Sequence, residues 1–454
     1  MGERKLFGTD GIRGRANIYP MTCEVAMTLG RAVTSHFQKF RRNKQPLIIV
    51  GKDTRLSCYM LEMAFASGVC SQGGQVILTG PLPTPAIAFI TTSRRADAGV
   101  MISASHNSYD DNGIKIFDAF GYKLPDEVEL ELEKMVLDPS LMNVRTGPFL
   151  GNAKRFKEEV FGRYVVRCKS AFPSKYDLSG MRIVLDCANG AGYRVAPMMF
   201  TELGAEVLSL GVHPNGKNIN EDCGSLHPEE ACQSVHKYRA DLGICLDGDG
   251  DRLVIIDENG QVVDGDKLIA ISAKLLLDQG KIKKGDIIAG TVMSNLGLEV
   301  YLNGLGLGLH RTKVGDRYIM EYMRESGVVL GGEPSGHLIF AEHSTTGDGS
   351  LAALKIIECM KYYNKSISEL MKDVALFPQV LKNAVVQKKV PLETVGPVQE
   401  VLKKAGDQLG DKGRVLIRYS GTEPLARVMV EGENSELVED LCEELVQVVS
   451  KELA

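Results

Sequence analysis

The chain has 454 residues, too many for one hydrophobic core, so three or four domains are expected at the ordinary size of roughly 100–200 residues each. A formal net charge of −5 argues against a general nucleic-acid binder, and any anionic ligand must be held by local arginines. Ten cysteines lie scattered without C-x-x-C spacing, no apolar run approaches ~18 residues, and the opening Met1–Leu6 lacks a signal core, so zinc and dithiol chemistry are unsupported and a cytoplasmic protein with no membrane partner is expected.

In chain order, strand, glycine-rich turn and helix units begin at Leu47–Gly51, Ile183–Asp186 and Ile287–Gly290. Short, continuously apolar strands alternating with amphipathic segments imply mainly parallel sheets covered by helices. Helical spacing of apolar residues predicts helices over 56–72, 193–203, 267–277 and 351–363. The last part differs, with strands predicted over 385–389, 415–419 and 427–430 and a helix over 436–451, which suggests a smaller α+β domain. Polar joints divide the chain into 1–153, 154–257, 258–374 and 375–454. Three similar α/β domains with mainly parallel mixed sheets, plus a C-terminal α+β domain, should enclose a cleft suited to a small ligand.

Several loops carry chemistry. The apolar strand Val100–Ile102 runs into Ser103-Ala104-Ser105-His106-Asn107, which displays Ser105 as an exposed loop serine. Alone it reads equally as a turn or capping residue, because no Gly-x-Ser-x-Gly surrounds it. Alternation along an extended segment sends His106 to the opposite face from Ser105, a structural role. Lys115 is a charge within the apolar Ile114–Phe117, either snorkelling or desolvated with its pKa lowered.

The most informative run is Asp247-Gly248-Asp249-Gly250-Asp251-Arg252, directly after the apolar Leu242–Leu246. Three carboxylates separated by glycines repel one another unless a hard cation lies between them, and oxygen ligands favour magnesium, calcium or manganese. An EF-hand fails because Arg252 stands where its sharp turn needs glycine. Paired with this separate metal loop, Ser105 gains a sharper role, carrying a phosphoryl group whose charge the metal neutralises. Gly332-Glu333-Pro334-Ser335-Gly336-His337 offers polar groups suited to sugar hydroxyls, and Arg418-Tyr419-Ser420-Gly421-Thr422, with Arg427 beyond, suits a phosphate; no Walker sequence accompanies it.

These four motifs, in this order and across essentially the whole chain, resemble the α-D-phosphohexomutase superfamily. The resemblance implies that Ser105 is a phosphoserine and that its phosphate and Asp247, Asp249 and Asp251 bind one Mg2+ per chain. It implies that Arg252, Glu333, Ser335, Arg418, Ser420, Gly421, Thr422 and Arg427 bind substrate, and that Arg13, Lys115 and His337 supply the acid, base or stabilising groups. The implied reaction isomerises a hexosamine phosphate between its 6- and 1-phosphates through a sugar 1,6-bisphosphate, a step toward amino-sugar nucleotides and peptidoglycan precursors. Neutral hexose phosphates are the alternative substrates; a phosphatase and a silent sugar-phosphate sensor are the alternative classes. A homodimer is compatible with the resemblance, and a kinase or bisphosphate must first phosphorylate Ser105. Two departures from the superfamily pattern are Ser108, in place of proline, and Pro334, in place of glutamine between the two sugar contacts.

Overall fold

A computed structural model of the chain describes residues 5–8, 10–40, 44–143, 145–156, 158–419 and 424–454. It forms two compact units, one of Met1–Met293 with His310–Met371 and one of Ser294–Leu309 with Lys372–Ala454.

The first sheet contains β1 (Phe7–Gly8), β2 (Gly11–Arg15), β3 (Leu47–Lys52), β4 (Gln75–Pro81), β5 (Ala98–Ile102), β6 (Asp111–Asp118) and β7 (Ala153–Arg155), in the order β1-β2-β6-β5-β3-β4-β7. The second contains β8 (Arg182–Asp186), β9 (Glu206–Leu210), β10 (Leu242–Leu246), β11 (Leu253–Ile256) and β12 (Val262–Val263), in the order β12-β11-β10-β8-β9. The third contains β13 (Ile287–Thr291), β14 (Gly308–Thr312), β15 (Leu330–Gly332) and β16 (Leu338–Phe340), in the order β14-β13-β15-β16. The sequence repeat is thus a repeat of topology: β6-β5-β3-β4, β11-β10-β8-β9 and β16-β15-β13-β14 are one arrangement used three times. In each copy the middle pair is parallel, and the following pair is an antiparallel hairpin.

Burial explains the apolar strands. Every residue of β5 and β10 is buried, as a central strand covered on both faces requires. The predicted helices appear as Leu56–Ser71, Val195–Glu202, Gly265–Asp278 and Gly349–Tyr363. The last two start earlier than apolar spacing suggested because Asp264 and Asp348 cap them, accepting from the Asp266 and Leu351 amides. Among the described residues no helix is long and apolar enough to cross a membrane.

The smaller unit carries β17 (Gln379–Val385), β18 (Gly413–Tyr419) and β19 (Leu425–Gly432), all antiparallel in the order β17-β19-β18, beside the helix Ser435–Glu452. The strand expected at 385–389 is displaced. The ladder ends at Val385, after which the Gln387 and Lys388 amides donate to the Leu453 carbonyl instead. Apolar valines on both sides of that point hid the boundary.

Between the end of β3 and the helix Leu56–Ser71, Lys52 Nζ donates to Glu62 Oε2 at 2.9 Å, with both side chains at most 2% exposed. Removing one partner of such a pair strands the other charge in a low dielectric. Lys52→Met should therefore cost about 3–5 kcal/mol in a denaturant titration, and Lys52→Met/Glu62→Leu should recover much of that loss.

Candidate active site

Three hairpin connections supply the polar groups of the larger unit. The β5–β6 connection carries Ser105, the β10–β11 connection the three aspartates, and the β15–β16 connection Glu333, Ser335 and His337. They interlock through backbone approaches that tolerate no side chain. A Cβ on Gly248 would lie 2.5 Å from the Ser105 carbonyl, and one on Gly336 would lie 1.8 Å from the Leu253 carbonyl. Gly336 also has φ +85°, so glycine is required there twice over.

Ser105 is buried rather than exposed as expected, with 1% of its surface accessible and φ +53°. Its Oγ donates to Asp247 Oδ2 at 2.6 Å. The left-handed backbone is held from below: Arg55, itself 0% exposed, donates to the carbonyls of Ser105 (3.1 Å) and Asn107 (2.5 Å). Asn220 Nδ2 donates to the same two carbonyls, both at 2.9 Å. Ser103 Oγ accepts from the Ser105 amide at 2.9 Å and donates to Asp53, which also pairs with Arg55.

His106 does not point away from Ser105. The strand ends at Ile102, so period-two alternation no longer applies, and His106 Nδ1 lies 3.4 Å from Ser105 Oγ and 3.1 Å from the Arg252 guanidinium. Burial and the charges of Arg252 and Arg13 lower its pKa to about 4, so the ring is a neutral acceptor at physiological pH.

Ligand oxygens of Asp247, Asp249 and Asp251 lie within 4.8 Å of one another, and all three side chains are buried. Asp249 Oδ1 and Asp251 Oδ1 are buried without a hydrogen-bond partner, which fits a cation supplying the missing contact. Burial, followed by the charges of Asp251 and Asp249, raises the pKa of Asp247, a repulsion that a divalent ion would relieve.

Lys115 is no lowered-pKa base. Burial alone would lower it, but its Nζ lies 2.8 Å from Asp249, 3.2 Å from Asp10 and 3.6 Å from Asp251, and these charges raise it. Asp10 also pairs with Arg13 and Lys123, and the three cations outweigh burial to hold its carboxyl well below the usual range. Lys123 reaches on to Asp316 at 2.7 Å. Arg13 additionally donates to the Ala104 carbonyl at 3.4 Å.

His337 is buried with Nδ1 3.8 Å from Asp251 and Nε2 3.7 Å from Asp316. Burial opposes its charge, yet the neighbouring carboxylates of Asp251 and Asp316 draw its pKa upward. The Gly347 amide donates to Nε2 at 3.0 Å, so the geometry favours the neutral ring with its proton on Nδ1. Glu333 Oε1 accepts from the Gly315 amide at 3.1 Å, and Ser335 Oγ lies 3.5 Å from Glu333 Oε2.

In the smaller unit, Arg418 and Arg427 face each other across β18 and β19. Burial and the Arg427 charge lower the Arg418 pKa, so an anion beside the pair would be welcome. Ser420, Gly421 and Thr422 lie outside the described residues.

Sequence reasoning missed Asp10, Asp53, Arg55, Lys123, Asn220 and Asp316. Asp53 and Arg55 had a usable signal, being charges directly after the buried strand β3. The pairing of Lys123 with Asp10 and Asp316 had none, because those residues are far apart in the chain.

A buried serine on a carboxylate of a triad that could hold a cation, set in thrice-repeated α/β units, is an arrangement suited to metal-assisted phosphoryl transfer. Domain descriptions of phosphoglucomutase/phosphomannomutase match along the chain: α/β/α domain I over residues 4–141, domain II over 162–260, domain III over 264–377 and the C-terminal domain over 381–448. The chain belongs to the phosphoglucomutase/phosphomannomutase family. It is 54% identical over 449 residues to a phosphoglucosamine mutase of Desulfotalea psychrophila, covering 99% of each chain. It is 52% identical over 454 residues to one of Nitratidesulfovibrio vulgaris strain Miyazaki F, covering 100% of each. Among solved structures, a phosphoglucomutase/phosphomannomutase family protein of Burkholderia thailandensis superposes with TM-score 0.82 at 22% identity, covering 98% of this chain and 97% of that one. Aspergillus fumigatus N-acetylphosphoglucosamine mutase, in complex with GlcNAc-6P and magnesium, superposes with TM-score 0.68 at 18% identity, covering 100% and 96%.

Asp249→Asn should weaken Mg2+ or Mn2+ binding about tenfold or more in a direct metal titration, since affinity follows ligand charge. An unchanged titration would place the cation elsewhere.

Proposed function

We propose that the chain interconverts glucosamine 6-phosphate and glucosamine 1-phosphate, feeding UDP-N-acetylglucosamine synthesis in the cytoplasm. The observation that carries the chemistry is Ser105 Oγ seated on Asp247 beside the triad. The observation that carries the substrate is identity above 50% over the full chain to phosphoglucosamine mutases. The division into 1–153, 154–257, 258–374 and 375–454 and the site roles below belong to the same proposal.

In the first half-reaction, a sugar hydroxyl oxygen bonds to the phosphorus of phospho-Ser105 while the Oγ–P bond breaks. The hydroxyl's proton is matched by one gained at Oγ, which then donates to Asp247 as observed. The resulting 1,6-bisphosphate reorients by about a half turn and returns its other phosphate to Ser105. One Mg2+ held by Asp247, Asp249, Asp251 and the Ser105 phosphate would offset phosphoryl charge. Arg13 and Arg252 stabilise the moving group, and Glu333 and Ser335 take sugar hydroxyls. Arg418, Arg427 and the 420–422 loop hold the non-reacting phosphate. Lys115, a cation held among Asp10, Asp249 and Asp251, offsets charge beside the moving phosphoryl group, and His337, whose Nε2 accepts from the Gly347 amide, exchanges protons through Nδ1. Because the cycle conserves phosphate, a kinase or a sugar bisphosphate must load Ser105 initially.

Ser105→Ala should retain its melting temperature and lose turnover to background, measured with enzyme preloaded by glucose 1,6-bisphosphate and Mg2+. Retained turnover would overturn the phosphoserine route. Release of inorganic phosphate in place of isomer would identify a phosphatase, and equal turnover of glucose or mannose phosphates would overturn the amino-sugar assignment.

A further inference from the structure

Pro334 lies between the two residues assigned to sugar hydroxyls, and the backbone bonds of the β15–β16 connection show what it does there. The Glu333 amide donates to the His337 carbonyl at 2.9 Å, and the Gly336 amide donates to the Glu333 carbonyl at 3.0 Å. Within this loop only Gly336 is left-handed, at φ +85°. That is the pattern of a hairpin loop built from a type I turn and closed by a left-handed glycine. Pro334 takes the first corner of the turn, where its ring holds φ near the required value of about −65°.

The loop is supported from behind and open in front. A Cβ on Gly265, the first residue of the helix Gly265–Asp278, would lie 2.4 Å from the Pro334 carbonyl and 2.9 Å from the Glu333 carbonyl, so the corner rests on the helix start. At its other end the Leu253 amide donates to the Gly336 carbonyl at 3.1 Å. Pro334 is partly buried and Ser335 is exposed. The pyrrolidine ring neither donates nor accepts a hydrogen bond, so what Pro334 contributes to a sugar is the fixed corner between the Glu333 carboxylate and the Ser335 hydroxyl.

We propose that Pro334 is a positioning residue: it locks the Glu333–Gly336 turn before the sugar arrives, so that both sugar contacts are formed without an ordering cost on binding. The inference rests on the assignment of Glu333 and Ser335 in the preceding section. In that cycle the sugar is held in two orientations, and a loop that had to be ordered would meet the same entropic cost in each.

Two measurements on the wild type, Pro334→Gln and Pro334→Gly test it. Amide hydrogen exchange of the 333–337 loop in substrate-free enzyme reads the lock without reference to any substrate. Exchange at the Gly336 amide should quicken by about twofold to fivefold in Pro334→Gln and by more in Pro334→Gly. Equal exchange in all three proteins overturns the lock. KM and kcat for glucosamine 6-phosphate then read its use: KM should rise by about the same factors while kcat stays within about twofold of the wild type. A lower KM in Pro334→Gln would mean that its side-chain amide bonds the sugar, and overturns the proposal. An unchanged KM in Pro334→Gly, or a loss confined to kcat, overturns it as well. A wild type that does not turn over glucosamine 6-phosphate overturns the assignment of the preceding section, while the exchange result still decides the lock.

Discussion

Crowding of like charges in a buried space is the constraint on which this site depends. Asp247, Asp249 and Asp251 follow one another on a single connection with water largely excluded, an arrangement that would drive protons onto them were no cations present. Lys115 and Arg252 meet part of that charge from two directions, and both are themselves held more firmly protonated in return. The network extends through Asp10 and Lys123 to Asp316, so the serine loop, the aspartate loop and the sugar loop share one electrostatic balance. A change in any member is felt by groups that it does not touch. The proposed phosphoryl group on Ser105 would be the largest such change.

The aspartates were legible because their spacing has a single physical use, and Ser105 because a metal beside it gives a loop serine a purpose. The strands were legible because burial on both faces leaves continuous apolar runs such as Leu242–Leu246. The geometry around Ser105 was not. Its burial and positive φ come from Arg55 and Asn220, which lie far along the chain and reach its carbonyl only after folding. For the same reason Lys115 could be seen as out of place, while the direction of its pKa depended on three carboxylates that the sequence could not bring near it. His106 misled because alternation holds only inside a strand, and the strand had already ended at Ile102.

The support beneath the serine loop also separates two kinds of stability. Asp53 and Arg55 are wholly buried and bonded mainly to backbone and to each other, so they act as a fixed floor. Lys123 and Asp316 keep some exposure, and Asp316 lies 3.7 Å from His337 of the β15–β16 connection. Burial and backbone bonding are therefore more complete beneath the serine loop than around Lys123 and Asp316.

The repeated strand order has a consequence for how such a protein can change. Each chemical loop joins the antiparallel pair of its copy, and Gly248 and Gly336 leave no clearance between neighbouring loops. Inserting or deleting a residue in one connection would shift strand register or drive it into the next. Single-residue replacement at constant loop length is the change these connections tolerate with their register intact.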